Sequence, residues 1–137
     1  LPQVRTPIGE AWILGRDEEA FRASTARPAP ARLLPSGDAY FLSHIIHDWS
    51  EEQCLTILGH CRRAMGANGR LLIIETVLPE GDTPHQGKLQ DLVMLLFPGG
   101  QERTEREYAA LLEKAGFRLQ RVVPTTSVVS IVEAVPA

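Results

Sequence analysis

The chain reads as an α/β domain: half of an open, mostly parallel sheet, finished at one edge by an antiparallel hairpin. Three observations predict this. Two apolar runs, 38–46 and 70–77, have the length and near-continuous hydrophobicity of strands covered on both faces. Between them, Cys54, Leu55, Leu58, Cys61 and Met65 recur at helical spacing. Near the C-terminus, two β-rich runs are joined by the short connection Thr125-Thr126-Ser127, the pattern of a hairpin. The 137 residues suffice for one domain, and 44% hydrophobic with 23% charged residues is an ordinary globular balance. A formal net charge of -3 offers no attraction to nucleic acid or to an anionic membrane. No apolar run approaches the roughly 20 residues that span a bilayer.

In chain order, residues 1–37 are punctuated by Pro2, Pro7, Pro28, Pro30 and Pro35. Ala11–Leu14 is expected to form a short strand ended by Gly15, and Asp17 to cap a short helix over 18–23. Thr25 to Arg32, dominated by Ala, Pro and Arg, reads as an extended linker. The first residue is Leu and the N-terminus lacks the apolar core of a signal peptide, as expected of a processed, trimmed or partial chain. After the 38–46 strand, Ser50 and Gln53 form a capping box for the helix 51–65. Glu51 and Glu52 lie at its positive end, and Arg62 and Arg63 at its negative end. The turn Gly66-Ala67-Asn68-Gly69 stops it. Cys54 and Cys61 lie two turns apart on this helix, about 10 Å at 1.5 Å per residue, beyond disulfide reach. They read as buried apolar thiols of a reducing compartment, which gives a cytoplasmic localisation.

The strand 70–77 ends on Glu75 and is followed by a polar loop, 79–84. Leu89–Phe97 is a mostly apolar helix with one acid, Asp91, ended by Pro98-Gly99-Gly100. Thr104 and Glu107 form a second capping box for a helix whose apolar face is Tyr108, Leu111, Leu112 and Ala115. Gly116 is its left-handed C′ residue, and 117–123 and 128–135 form the hairpin.

The chemistry centres on Ser43-His44-Ile45-Ile46-His47-Asp48-Trp49-Ser50, between the first strong strand and its helix. In open parallel sheets, ligands bind at the carboxyl ends of strands. His47 and Asp48 fall there, and histidine is the side chain suited to moving a proton near neutral pH. Glu75 ends the next strand, and Glu102 precedes the capped helix, on the same edge. A carboxylate on the far ring nitrogen of a base fixes its tautomer and stabilises the imidazolium that forms. Plainer readings stand beside this. Glu75 could pair with a lysine or arginine, and Glu102 could sit in solvent. His44 could be a satisfied core residue, and His60 and His85 look like helix surface and loop. Met94 and Phe97 could be core, or the wall of a pocket for an apolar substrate. Neither Cys54 nor Cys61 belongs to a CxxC or CxxH arrangement, which disfavours a metal role for them.

The segments DAYFLSHIIHDWSEEQC, GRLLIIETVLP, LQDLVMLLFPGGQERTEREYAALLEKAGF and SIVEAVPA resemble the C-terminal portion of S-adenosylmethionine-dependent O-methyltransferases, of the plant caffeic acid type and its bacterial relatives. The likeness covers residues 34–137, and the HDWS and GGxERT motifs carry it. It implies a partial Rossmann-like methyltransferase sheet at 34–137, preceded by a divergent segment and linker at 1–33. It implies that His47 is the catalytic base, flanked by Glu75 and Glu102. Ser43, Asp48 and Trp49 then fall on the cofactor side, Trp49 near the adenine. Asp91, Met94 and Phe97 fall on a helix lining the acceptor pocket. The implied reaction is direct methyl transfer to a hydroxyl of a small aromatic or polyketide acceptor in secondary metabolism, without a metal.

The cofactor would be S-adenosylmethionine, yet the family's glycine-rich binding loop is absent from this chain, since Gly9 and Gly15 make no GxGxG. The acidic residue that holds the ribose and the helical dimerisation domain are absent too. In the family's sheet order the 39–46 strand is central. One of its edges would stand bare, an invitation to association and so to a homo-oligomer, unless residues 1–37 or another chain cover it or the chain is a remnant of a longer protein. The alternative reading is a non-catalytic remnant or interaction module. A hydrolase using Ser43 or Ser50 is disfavoured, because no GxSxG elbow exists.

Overall fold

Two capping boxes and one buried carboxylate set where the elements of this chain begin and end. The computed structural model describes residues 3–6, 9–14, 34, 36–96 and 100–137. The strands are β1 (Gln3–Thr6), β2 (Gly9–Leu14), β3 (Gly37–Ser43), β4 (Met65–Glu75), β5 (Val77–Leu78), β6 (Arg103–Thr104), β7 (Phe117–Pro124) and β8 (Ser130–Pro136). The helices are α1 (Glu51–Ala64), α2 (Gln86–Leu96) and α3 (Glu105–Lys114). The expected helix at 18–23 and the linker at 25–32 lie outside the described residues.

Six strands form one sheet in the order β1-β2-β3-β4-β8-β7. β2, β3 and β4 run parallel, while β1 pairs antiparallel to β2. β4 pairs antiparallel to β8, which forms the expected hairpin with β7. The short strands β5 and β6 pair in parallel, Val77 opposite Arg103 and Leu78 opposite Thr104. The edge of β3 that the sequence leaves bare is therefore covered: Ala11 to Leu14 lie opposite Ala39 to Leu42. β1 has no counterpart in the sequence expectations.

Register places Tyr40, Leu42, Leu71, Ile73, Val132 and Ala134 on one face, where they are fully buried. Against them pack Cys54, Ile57, Leu58 and Cys61 of α1, Tyr108, Leu111 and Leu112 of α3, and Phe117. Fully burying each such aliphatic side chain is worth about 1.5–3 kcal/mol. The expectation of strands covered on both faces holds only in part. Phe41, Leu72, Ile74 and Ile131 on the opposite face are half-buried, since α1 and α3 lie on the same side. On that opposite face Glu133 bridges Arg70 and Arg121 across three strands, with Arg121 Nε 2.6 Å from its carboxylate.

The helix starts follow the local chemistry. In α1 the Ser50 hydroxyl accepts from the Gln53 N–H and the Gln53 side chain accepts from the Ser50 N–H. Thr104 and Glu107 do the same for α3. Gly116 closes α3 with φ +82°, the left-handed region expected of a C′ glycine. Both cysteines are free and buried.

The strand expected to run to Ile46 ends at Ser43. His44 adopts φ +52°, which no strand tolerates, and residues Ile46–Asp48 form a single 3-10 turn. Its cause lies on the neighbouring strand. Oε1 of Glu75 accepts from the N–H groups of Ile45 and Ile46, both at 2.8 Å, and from His47 at 3.4 Å. A carboxylate that gathers successive amides in this way holds them out of the ladder. β4 also starts earlier than the sequence suggests. Gly37 pairs with Met65 ahead of an irregularity, so the 66–69 turn is drawn onto the sheet edge.

Candidate active site

The turn made by Glu75 places His47 at the carboxyl end of β3 with 2% of its surface exposed. Its Nδ1 lies 3.1 Å from Glu102 Oε1, with which it hydrogen-bonds, and 3.0 Å from Glu75 Oε2. Glu75 and Glu102 are themselves buried. The far nitrogen, Nε2, lies 3.2 Å from Asp48 Oδ1 but off the line of a hydrogen bond, so it is left without a partner. The structure thus brings together the three titratable residues expected at this edge, and neither glutamate takes its plainer reading. Glu75 is paired with no lysine or arginine among the described residues, and Glu102 is not in solvent.

Glu102 arrives through the β5–β6 pairing, because it immediately precedes Arg103, which lies opposite Val77. The segment 100–103 is docked on the turn throughout. The Gln101 N–H donates to the His47 carbonyl at 3.0 Å. Gly100 packs so closely that a Cβ there would stand 1.7 Å from the same oxygen. Asp91 Oδ1 accepts from the Glu102 N–H at 2.7 Å. The carboxylate expected to face an acceptor is thus engaged in holding the acid. Met94 lies on α2, but its side chain and the whole of Phe97 lie outside the described residues.

Ser43 ends β3 half-buried, opposite Ile74, and Asp48 and Trp49 follow His47, also half-buried. Trp49 packs against the core. His44 is not a core residue of a strand: its ring stands 5.6 Å from that of His47. Donor atoms of His44, His47 and Glu75 lie within 4.8 Å of one another, a spacing that a metal ion could bridge. In this arrangement the Nδ1 of His47 and one Glu75 oxygen are already engaged within the protein. His60 pairs with Arg63, and His85 Nδ1 accepts from the Gly87 N–H at 3.0 Å at the start of α2.

Burial would push the His47 imidazole down, but its hydrogen bonds and charge contacts with Glu102 and Glu75 outweigh it, and its pKa is held up to about 10. The site is therefore built to hold a proton on His47 strongly. Burial pushes the Cys54 thiol up to about 11 and the Tyr108 hydroxyl well above its usual value. Glu75 Oε2, Glu102 Oε2 and the Tyr108 hydroxyl are buried without a hydrogen bond among the described residues, Glu75 Oε2 having only its ion-pair contact with His47.

Sequence reasoning missed Arg103, 2% exposed, whose guanidinium reaches the Ile46 carbonyl, and the Cys54 thiol, which donates to the same oxygen at 3.2 Å. The Gly-Gly pair ahead of ERT was a signal that backbone approaches closely there.

This chain matches other proteins along most of its described length. A family model described as "O-methyltransferase domain" matches residues 30–118. The chain is 54% identical over 100 residues to phenazine O-methyltransferase PhzM of Lysobacter antibioticus, a match spanning 73% of this chain and 29% of that protein. It is 48% identical over 89 residues to caffeic acid 3-O-methyltransferase of Capsicum annuum, over 61% of this chain and 25% of that protein. The solved structure of CalO1, a methyltransferase in calicheamicin biosynthesis with SAH bound, superposes with a TM-score of 0.72 at 48% identity, covering 76% of this chain and 31% of that one. The chain thus spans about three tenths of the length of the curated relatives it matches. On the family match, the identities and the sheet itself, this chain belongs to the O-methyltransferase domain family, whose members use S-adenosylmethionine.

Proposed function

We propose that this chain carries the acceptor-activating half of an S-adenosylmethionine-dependent O-methyltransferase, with His47 as general base and a phenolic hydroxyl as acceptor. The observation that carries the reading is the pairing of His47 Nδ1 with Glu102 while Nε2 remains unbonded. Nε2 is then the buried ring nitrogen without a hydrogen bond, with Asp48 Oδ1 3.2 Å away. Nδ1–H is held by carboxylate, so the tautomer that leaves a lone pair on Nε2 is the favoured neutral form.

The high proton affinity of His47 suits one acceptor class. A phenolic hydroxyl titrates near 10, the range in which His47 itself is held, about 10. Near neutral pH the ring is then mostly protonated, so Nε2 takes the phenol's proton only after giving up its own; once it has, the transfer is nearly balanced in energy and the oxygen gains anionic character. An aliphatic alcohol, far less acidic, gains little from the same base. Glu102 and Glu75 stabilise the imidazolium that forms, and burial keeps water from competing. Base catalysis of this kind is worth about 10²–10⁴ in rate. The relatives named for phenazine and caffeic acid substrates agree with an aromatic acceptor.

Ser43, Asp48 and Trp49 fit the adenosine end of the cofactor: an aromatic ring and polar groups at the carboxyl edge of parallel strands. When bound, the cofactor would supply an electrophilic methyl on a sulfonium. Among the described residues nothing corresponds to a glycine-rich loop at its methionine end. The cofactor site is therefore the point to test first.

Calorimetric titration of the chain with S-adenosylhomocysteine, followed by methyl transfer to phenolic acceptors, tests the reading. Saturable binding and turnover that His47→Asn abolishes would support it. Full turnover in His47→Asn would remove the base assignment. No binding by a folded sample would favour the non-catalytic alternative for this chain, with the chemistry carried by a longer protein.

A further inference from the structure

We infer that Arg103 is a positioning residue: its guanidinium ties the turn that carries His47 to the segment that carries Glu102, and so fixes the distance between ring and carboxylate. The inference rests on the reading of His47 as the proton acceptor. Nη1 of Arg103 donates to two carbonyls, Ile46 at 3.2 Å and Gln101 at 3.2 Å. Those carbonyls belong to the residues immediately before His47 and Glu102. One nitrogen therefore bridges the two peptides from which the base and its acid project. Nη2 reaches Cys54 Sγ at 3.8 Å, and that thiol also donates to the Ile46 carbonyl. The arginine backbone lies opposite Val77 in the β5–β6 pair, two residues after Glu75. A single residue thus touches the local frame of all three titratable groups, two through its side chain and the third through its backbone.

A buried guanidinium is expensive to desolvate and is ordinarily offset by a carboxylate. Among the described residues Arg103 has no carboxylate within ion-pair distance. Its donors are directed to main-chain carbonyls, where a planar fork constrains geometry better than an ammonium would. That use of a buried charge points to holding backbone in place.

The test separates position from charge by the sign of the effect. His47 faces Glu75, Glu102, Asp48 and His44; Arg103 faces Cys54, Tyr108 and Glu51. Removing a cation near an imidazolium raises the imidazole pKa, whereas loosening Nδ1 from its carboxylates lowers it. Nitrogen-15 histidine spectra of the 137-residue chain would be titrated for the wild type, Arg103→Lys and Arg103→Met. In Arg103→Lys the charge stays and the fork is lost, so the expected result is a His47 pKa lower by about one unit. Arg103→Met loses the cation as well, which acts in the opposite direction, so its fall should be smaller than that of Arg103→Lys. A His47 pKa that holds or rises in Arg103→Lys, with the chain folded by circular dichroism, would overturn the inference. If Arg103→Met does not fold, the lysine variant decides alone, because it keeps the buried charge. Failure of the base reading shows separately, as turnover that survives His47→Asn while the arginine variants still shift the titration.

Discussion

Removing the Glu75 side chain should destabilise the chain more than any change at Glu102, although both acids touch the same ring nitrogen. Oε1 of Glu75 accepts from Ile45 and Ile46 at 2.8 Å each, inside a residue with no exposed surface. Glu75→Ala leaves two buried N–H donors without an acceptor, at about 1–3 kcal/mol each, so about 2–6 kcal/mol together. That is a large share of the roughly 5–15 kcal/mol by which domains are stable. Glu75→Gln keeps an oxygen in reach and loses only charge assistance, about 1 kcal/mol per bond and about 2 kcal/mol in all. Glu102→Gln removes the charge from the contact to His47 Nδ1 at 3.1 Å, the strongest of those that hold the proton on the ring, for about 1.5–3 kcal/mol. Urea denaturation, with the slope checked for constancy, measures the series. The expected result is that Glu75→Ala loses most, with both glutamine variants losing less. A Glu75→Ala protein within about 0.5 kcal/mol of wild type would refute the claim that this carboxylate makes the turn. So would a Glu102→Gln loss exceeding that of Glu75→Ala.

Two further outcomes are expected. His47 is held up to about 10 in the folded chain, against about 6.5 for an unperturbed histidine. Its contribution to stability is complete below about pH 6.5 and is lost as pH rises toward 10, because the folded state then keeps a proton that the unfolded state releases. Denaturation across that window should show stability falling by up to about 1.4 kcal/mol per pH unit from this group. His47→Gln should flatten the slope; an unchanged slope would show that His47 is not the group responsible. Gly100→Ala would place a Cβ 1.7 Å from the His47 carbonyl oxygen and 2.9 Å from the Asp48 carbonyl carbon. Neither backbone atom can move aside as a side chain could, so the 100–103 segment must shift. Thermal melting should show a loss of about 1–3 kcal/mol, and histidine spectra a lowered His47 pKa. A variant with wild-type melting and titration would mean that the segment is not docked as described.

The parts of this molecule that were legible in the sequence are those decided within a few residues. The boxes at Ser50–Gln53 and Thr104–Glu107 and the left-handed Gly116 depend on neighbours three or four positions away, and all three form. The 38–46 run failed as a strand at its far end for the opposite reason. Its residues are as apolar after Ser43 as before, and what stops the strand is a carboxylate about 30 positions later in the chain. Periodicity cannot register such a partner. The site shows the same division. Residue type placed His47, Glu75 and Glu102 on one edge, since a strand end is a position that order along the chain can fix. How they meet depends on the β5–β6 pair and on Arg103, features of two residues each that carry no periodic signal. The covering of β3 by β2 is non-local in the same way, and it matters for function because that edge is where the expected cofactor half would lie. Glu75 is accordingly both a folding residue and a site residue. The N–H groups it gathers are what turn the chain out of the sheet, and that turn is what gives His47 its buried place beside Glu102.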